Sequence, residues 1–143
     1  MKGKYFIDTN IVVYSFDNEN PFKQKAAKKL ISEAINQNKG IVSYQVIQEF
    51  CNVALNKFKV PLKINDCKEY LNKFLNPICE VFSTMELYNE ALDIKYETGY
   101  SFYDSLIIAS ALKAKCSILY SEDLKEGQVI KGLKIENPFI SLP

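Results

Sequence analysis

The chain has no histidine. That excludes Ser-His-Asp and Cys-His nucleophilic catalysis, imidazole acid–base work and every histidine-containing zinc site. It also has no arginine, so its 18 basic residues are all lysines. No guanidinium fork is present to grip a phosphate or carboxylate in two places. Cys51, Cys67, Cys79 and Cys116 contain no C-x-x-C pair, which favours reduced thiols packed as small hydrophobes over a four-cysteine zinc site. No apolar run approaches the ~20 residues of a membrane span. Met1-Lys2-Gly3-Lys4 leads into a strand-like segment too short for a secretory h-region. The expectation is a cytoplasmic protein without membrane association.

What is present suits one folded domain over residues 1–143. The apolar share is 48% and the aromatic share 13%, enough for a packed core and too much for disorder. The net charge is +1, which by itself does not point to nucleic acid.

Short apolar runs alternate with helix-length amphipathic stretches. Strands are expected at Lys4–Asp8, Gly40–Ser43, Ile78–Phe82 and Ser117–Tyr120, with a short fifth at Leu133–Ile135. Helical turns are expected from Ile11 to Phe16. Asn20 reads as an N-cap and Pro21 as a first helical residue, followed by Phe22, Ala26, Leu30 and Ala34 at i+4 spacing. Further helices are expected at Tyr44–Phe58 and Asn65–Asn76. Another follows the capping box Ser83-Thr84-Met85-Glu86 and stops at Gly99. The helix Tyr103–Ala114 is apolar around most of its circumference, as a buried helix is. This alternation implies an α/β fold of three layers, α/β/α, around a central parallel sheet of about five strands.

Such sheets place their sites beyond the C-terminal ends of the strands, where the strand order reverses. Asp8, Thr9 and Asn10 follow the first strand there. Ser121, Glu122 and Asp123 follow the fourth. Glu49 lies one turn into the helix after the second strand, and Asp104 begins the buried helix that leads to the fourth. Each acid alone has an ordinary explanation: Asp8 a cap, Asp104 a helix-dipole partner, Asp123 a turn residue, Glu49 a solvated face. Together, four carboxylates at one sheet edge repel one another and raise each other's pKa. A hard divalent cation such as Mg²⁺ or Mn²⁺ removes that conflict through oxygen ligands.

At these residues the chain resembles the PIN domain family. Phe6-Ile7-Asp8-Thr9-Asn10-Ile11-Val12 resembles its opening motif, and Ser43 to Phe50, containing Glu49, its second acidic motif. Tyr103 to Ala111, beginning Tyr103-Asp104-Ser105, resembles the third, and Ser121-Glu122-Asp123 the last. The order and spacing fit nearly the whole chain. The family more often has Thr-Asn-Asp at the last motif, so Ser121 and Glu122 are departures, and either Glu122 or Asp123 is the fourth acid.

The resemblance implies a metal-dependent endoribonuclease of the VapC toxin type, paired with a small antitoxin and usually dimeric. Asp8, Glu49, Asp104 and Asp123 would be its catalytic and metal-binding residues, with Mg²⁺ or Mn²⁺ as cofactor and RNA as substrate. Asp8 and Asp104 would be the more direct ligands, and Glu49 or Asp123 the base that orients water. Thr9, Asn10 and Ser121 would orient the carboxylates or serve local turns and caps. Setting the four acids aside leaves 13 acids against 18 lysines, an excess suited to modest phosphate attraction. Lys23, Lys25, Lys28, Lys29, Lys57, Lys59 and Lys63 are candidates for it. Tyr14, Tyr44 and Phe102 are candidates for base stacking or for the core. The expected dimer surface is the helices over Pro21–Asn38 and Tyr44–Asn76.

Other readings remain open. A PIN nuclease can act in RNA maturation or decay without a toxin role. An inactive nucleic-acid-binding module can retain the fold. A phosphoacceptor receiver domain fits less well, because it wants paired acids after the first strand, and Ser83 stands where its phosphorylated Asp would be.

Overall fold

The strands of this chain are short and apolar, and the helices between them carry one apolar face. Parallel strands joined by helical crossovers bury both sheet faces, and here helices connect the first four strands. In the computed structural model, which describes residues 3–140, β1 (Lys4–Ile7), β2 (Gly40–Ser43), β3 (Cys79–Val81), β4 (Cys116–Tyr120) and β6 (Leu133–Glu136) are parallel. A sixth strand, β5 (Val129–Ile130), pairs antiparallel with β6. The order is β3-β2-β1-β4-β6-β5. Phe6 faces Ile41 on one side of β1 and Leu119 on the other, and Leu119 in turn faces Ile135. All four are fully or almost fully buried.

The helices are α1 (Thr9–Tyr14), α2 (Pro21–Asn36), α3 (Tyr44–Asn56), α4 (Ile64–Tyr70), α5 (Met85–Thr98) and α6 (Phe102–Lys113). On one side α1 packs against α2 and α3, and on the other α5 packs against α6. Every residue of α6 from Ser105 to Ala111 is buried, as its all-round apolar sequence requires. Among the described residues no helix is long and apolar enough to cross a membrane.

Several boundaries differ from the sequence expectation. The first helix begins at Thr9 rather than Ile11, because the Asp8 side chain accepts the Thr9 N–H and caps it. Asn20 does precede Pro21 at the start of α2, but its side chain does not cap; it donates to Asp17 Oδ2 at 3.0 Å. The cap of α5 is Thr84, whose Oγ1 accepts from Leu87 N at 3.1 Å, so the box on Ser83 does not form. Glu86 instead accepts from Lys113 Nζ at 3.2 Å. Gly99 ends α5 at φ 79°, where a Cβ is disfavoured. The helix over Asn65–Asn76 is not uniform: α4 widens into a π-helical turn at Leu71–Leu75 and tightens into a 3₁₀ turn at Asn76–Ile78, where Pro77 cannot continue the α-helical bonds.

The four cysteines are free thiols. Burial pushes Cys51 up to about 11 and Cys116 up to about 12, which keeps them unreactive.

Candidate active site

Strand order reverses around β1: the chain moves to β2 on one side and returns to β4 on the other. The C-terminal ends of β1 and β4 therefore border one crevice. Their register puts Ile7 opposite Tyr120, and Asp8 N donates to Tyr120 O at 3.1 Å. Asp8 and Ser121 are thus adjacent by strand pairing alone. A cleft of about 260 Å³ opens there. Asp8, Glu49, Asp104 and Asp123 all line it, with Thr9 and Asn10 from α1 and Gln45, Asn52 and Lys57 from α3 and its end.

Local structure explains each position. Asp8 is the extended N-cap of α1, so its carboxylate is turned back toward the strand ends. Glu49 follows Gln45 by one turn of α3, which Ser43 caps by accepting from Val46 N. Asp104 sits in the first turn of α6, where Ser101 Oγ accepts its backbone N–H at 3.1 Å. The ordinary capping explanation therefore holds for Asp8, together with its place in the cleft.

Thr9, Asn10 and Ser121 each hold one acid. Thr9 Oγ1 donates to Glu49 Oε1 at 2.6 Å, and Ser121 Oγ donates to Asp8 Oδ2 at 2.8 Å. Asn10 Nδ2 donates to Asp123 Oδ2. Thr9 N completes the set by donating to Asp8 Oδ1 at 2.7 Å. Each bond turns a carboxylate into a fixed direction at the cleft.

Glu122 points elsewhere. It accepts from Lys23 Nζ at 2.6 Å and from the Tyr14 hydroxyl at 2.6 Å. Lys23 Nζ also lies 4.7 Å from the Tyr14 ring centre and 5.4 Å from that of Phe139. Burial works against the Glu122 charge, but the bonds from Lys23 and Tyr14 outweigh it and hold the carboxyl below its usual range. Lys23 and Tyr14 are thereby committed to this cluster rather than offered to a phosphate or a base. Lys59 is likewise paired, with Glu19 at 2.6 Å.

Asp8 is 7% exposed. Its burial raises the carboxyl to about 6, against the lowering bonds from Ser121 and Thr9 and with a further push from the Glu49 and Asp123 charges. Among the described residues none of the four acids forms an ion pair with a lysine. The four carboxylates outnumber Lys57, the lysine that lines the same cleft, so the cleft is negative and its anionic donors are oxygens. Among the described residues, no three acid or cysteine side chains stand together as a ready-made chelate. The donor set fits a hard cation held by one or two carboxylates, with water completing the shell.

Gln45, Asn52 and Lys57 line the cleft without having been singled out as site residues from sequence, although Lys57 was a phosphate candidate. Spacing carried the signal: positions 45, 49 and 52 share one face of a 3.6-residue helix.

The sequence profile of the PIN domain matches residues 5–128. The chain belongs to the PIN domain family. No curated protein sequence matches it. Among solved structures, this PIN chain resembles a toxin–antitoxin complex from Klebsiella pneumoniae at 17% identity and a TM-score of 0.65, covering 94% of this chain and 98% of that one. It resembles VapBC2 from Rickettsia felis, bound to a promoter DNA fragment, at 22% identity and 0.64, covering 93% and 97%. It also resembles VapC20 of Mycobacterium tuberculosis, described as a toxin that cleaves the sarcin–ricin loop, at 17% identity and 0.57, covering 84% and 90%. At such low identities it is the TM-scores that show the likeness, and what they show is a shared fold.

Proposed function

We propose that this PIN domain, spanning the chain as one unit, is a metal-dependent endoribonuclease and the toxin of a VapBC-type pair. The observation that supports the reading is the cleft: four carboxylates, unpaired by any lysine among the described residues, line it at the switch point of a PIN fold. Its neighbours in toxin–antitoxin complexes support the toxin role and a small antitoxin partner. A homodimer of cytoplasmic protein belongs to the same reading.

Asp8, Glu49, Asp104 and Asp123 would hold Mg²⁺ or Mn²⁺, one or two of them directly and the others through water. Such an ion would make water a nucleophile at neutral pH and offset charge on the phosphodiester. The chain's own groups do the positioning. Ser121 and the Thr9 amide fix both oxygens of Asp8. The Thr9 hydroxyl fixes one oxygen of Glu49 and leaves the other toward Gln45. Asn10 fixes Asp123, which favours Asp123 over Glu122 as the fourth acid. Asp104, unbonded through its carboxylate among the described residues, is free to turn toward a ligand. Lys57 at the rim supplies a positive charge for a substrate phosphate.

The test is incubation of purified protein with a mixed RNA pool in Mn²⁺ or Mg²⁺ and in EDTA. Cutting in metal that stops in EDTA is expected. Cutting that persists in EDTA, or none in either with antitoxin shown to be absent, contradicts the reading. Growth arrest on expression, relieved by a co-expressed neighbouring small protein, separates a toxin from an RNA-processing enzyme.

A further inference from the structure

Gln45 stands in the first turns of α3 and is 6% exposed. Its Nε2 donates to the Tyr103 carbonyl of α6 at 3.1 Å and reaches Glu49 Oε2 at 3.5 Å. Its Oε1 is buried and has no hydrogen-bond partner. A buried acceptor without a donor costs stability and calls for a reason. Flipping the amide does not help: Oε1 would then face two acceptors, the carbonyl and the carboxylate. The amide is held in the orientation that serves Nε2, and the unpartnered Oε1 follows from that.

What Nε2 joins is specific. Glu49 is carried by α3, and Tyr103 immediately precedes Asp104 on α6. These two helices approach the cleft from different parts of the chain, and Gln45 and Tyr103 are 58 apart in sequence. The second Glu49 oxygen is already held by Thr9 at 2.6 Å. The Tyr103 carbonyl lies in the first turn of α6, where the helix itself supplies an amide donor, so Gln45 is not needed to satisfy it.

We infer that Gln45 is a positioning residue that sets the spacing of Glu49 and Asp104 for a divalent cation, at the expense of the stability of the cation-free protein. This inference rests on the metal-nuclease reading above. It makes two demands of opposite sign. Replacing Gln45 by an apolar side chain of similar length removes the orphaned oxygen, so the cation-free fold keeps or gains stability. The same change releases the acid-bearing helices from one another, so the cation binds more weakly. Losing a group that orients a ligand residue typically weakens metal binding about 10- to 100-fold.

The experiment is isothermal titration of MnCl₂ into wild type, Gln45→Met and Gln45→Leu, with melting temperatures measured in EDTA. The expected result is Mn²⁺ binding at least about 10-fold weaker in both variants, with melting temperatures in EDTA equal to or above wild type. Unchanged Mn²⁺ affinity overturns the inference and leaves the nuclease reading standing. A large drop in melting temperature in EDTA, with affinity unchanged in the folded fraction, assigns Gln45 a purely structural role and also overturns it. Wild type that binds no Mn²⁺ overturns the reading beneath it.

Discussion

Asp8→Asn is expected to stabilise the fold while destroying the site. Burial holds the Asp8 carboxyl at about 6 instead of 3.8. At 1.36 kcal/mol for each tenfold change in proton affinity, that difference corresponds to about 3 kcal/mol. The sign follows from where the proton binds more tightly. The native state holds it more tightly than the unfolded chain, so this group's favourable share is complete below pH 3.8. It is lost as pH rises toward 6 and absent above. An amide at position 8 carries no such charge. Its oxygen still accepts from Thr9 N, and Ser121 Oγ can turn to accept from its nitrogen, so the cap survives. Imperfect geometry takes back part of the gain, leaving about 1–3 kcal/mol at pH 8, or roughly 4–10 °C in melting temperature for a chain of this size. The assay is thermal melting of wild type and variant in EDTA at pH 4 and pH 8. The variant should be the more stable at pH 8, and the gap should close at pH 4. Mn²⁺ should raise the wild-type melting temperature at pH 8 and leave the variant unmoved. A variant less stable than wild type by the same margin at both pH values refutes the picture of a buried, destabilising carboxylate.

Other outcomes follow from the same geometry. Mn²⁺ affinity should weaken as pH drops through about 6, where the Asp8 carboxyl of the metal-free protein takes up a proton that competes with the ion, as Mn²⁺ titrations at a series of pH values will show. Glu122→Gln should retain cleavage, because Glu122 is turned toward Lys23 and Tyr14. Its cost in melting temperature should be small at pH 7 and shrink in acid, since a depressed carboxyl contributes fully above its unfolded pKa and loses that contribution as pH falls through its lower folded one. Gly40→Ala should destabilise strongly, read by denaturant unfolding. A Cβ there would stand 2.2 Å from Ala34 Cβ and 2.9 Å from Tyr5 Cε1, and that overlap forces α2 away from the sheet.

Much of this architecture was legible in sequence because its signals are periodic. Alternating apolar runs specified the parallel strands, and the all-round apolar stretch Leu106–Leu112 marked the buried helix. The switch-point rule then located Asp8 and Ser121–Asp123 on one edge. What was not legible depends on side-chain partners distant in sequence. Which acid of Glu122 and Asp123 faces the cleft is governed by Lys23, 99 residues away. β5 escaped notice because it has two residues, and its hairpin turn is Lys131-Gly132, at φ 50° and 87°, rather than the commoner Asn-Gly. Thr84 displaced Ser83 as a cap because β3 ends at Val81 and α5 starts at Met85, one residue later than the capping-box pattern indicated. Tyr14 read as a candidate for base stacking because sequence does not show that its hydroxyl meets Glu122.

The central claim is that the four carboxylates act together at one cleft. Its most direct test is the cleavage rate of a mixed RNA pool in Mn²⁺ by Asp8→Asn, Glu49→Gln, Asp104→Asn and Asp123→Asn, each shown to be folded by its melting curve. Every one should lose at least about 100-fold in rate, as expected for a lost ligand or an acid that acts in the reaction, while Glu122→Gln stays near wild type. A wild-type rate in any one of the four folded variants would contradict the account.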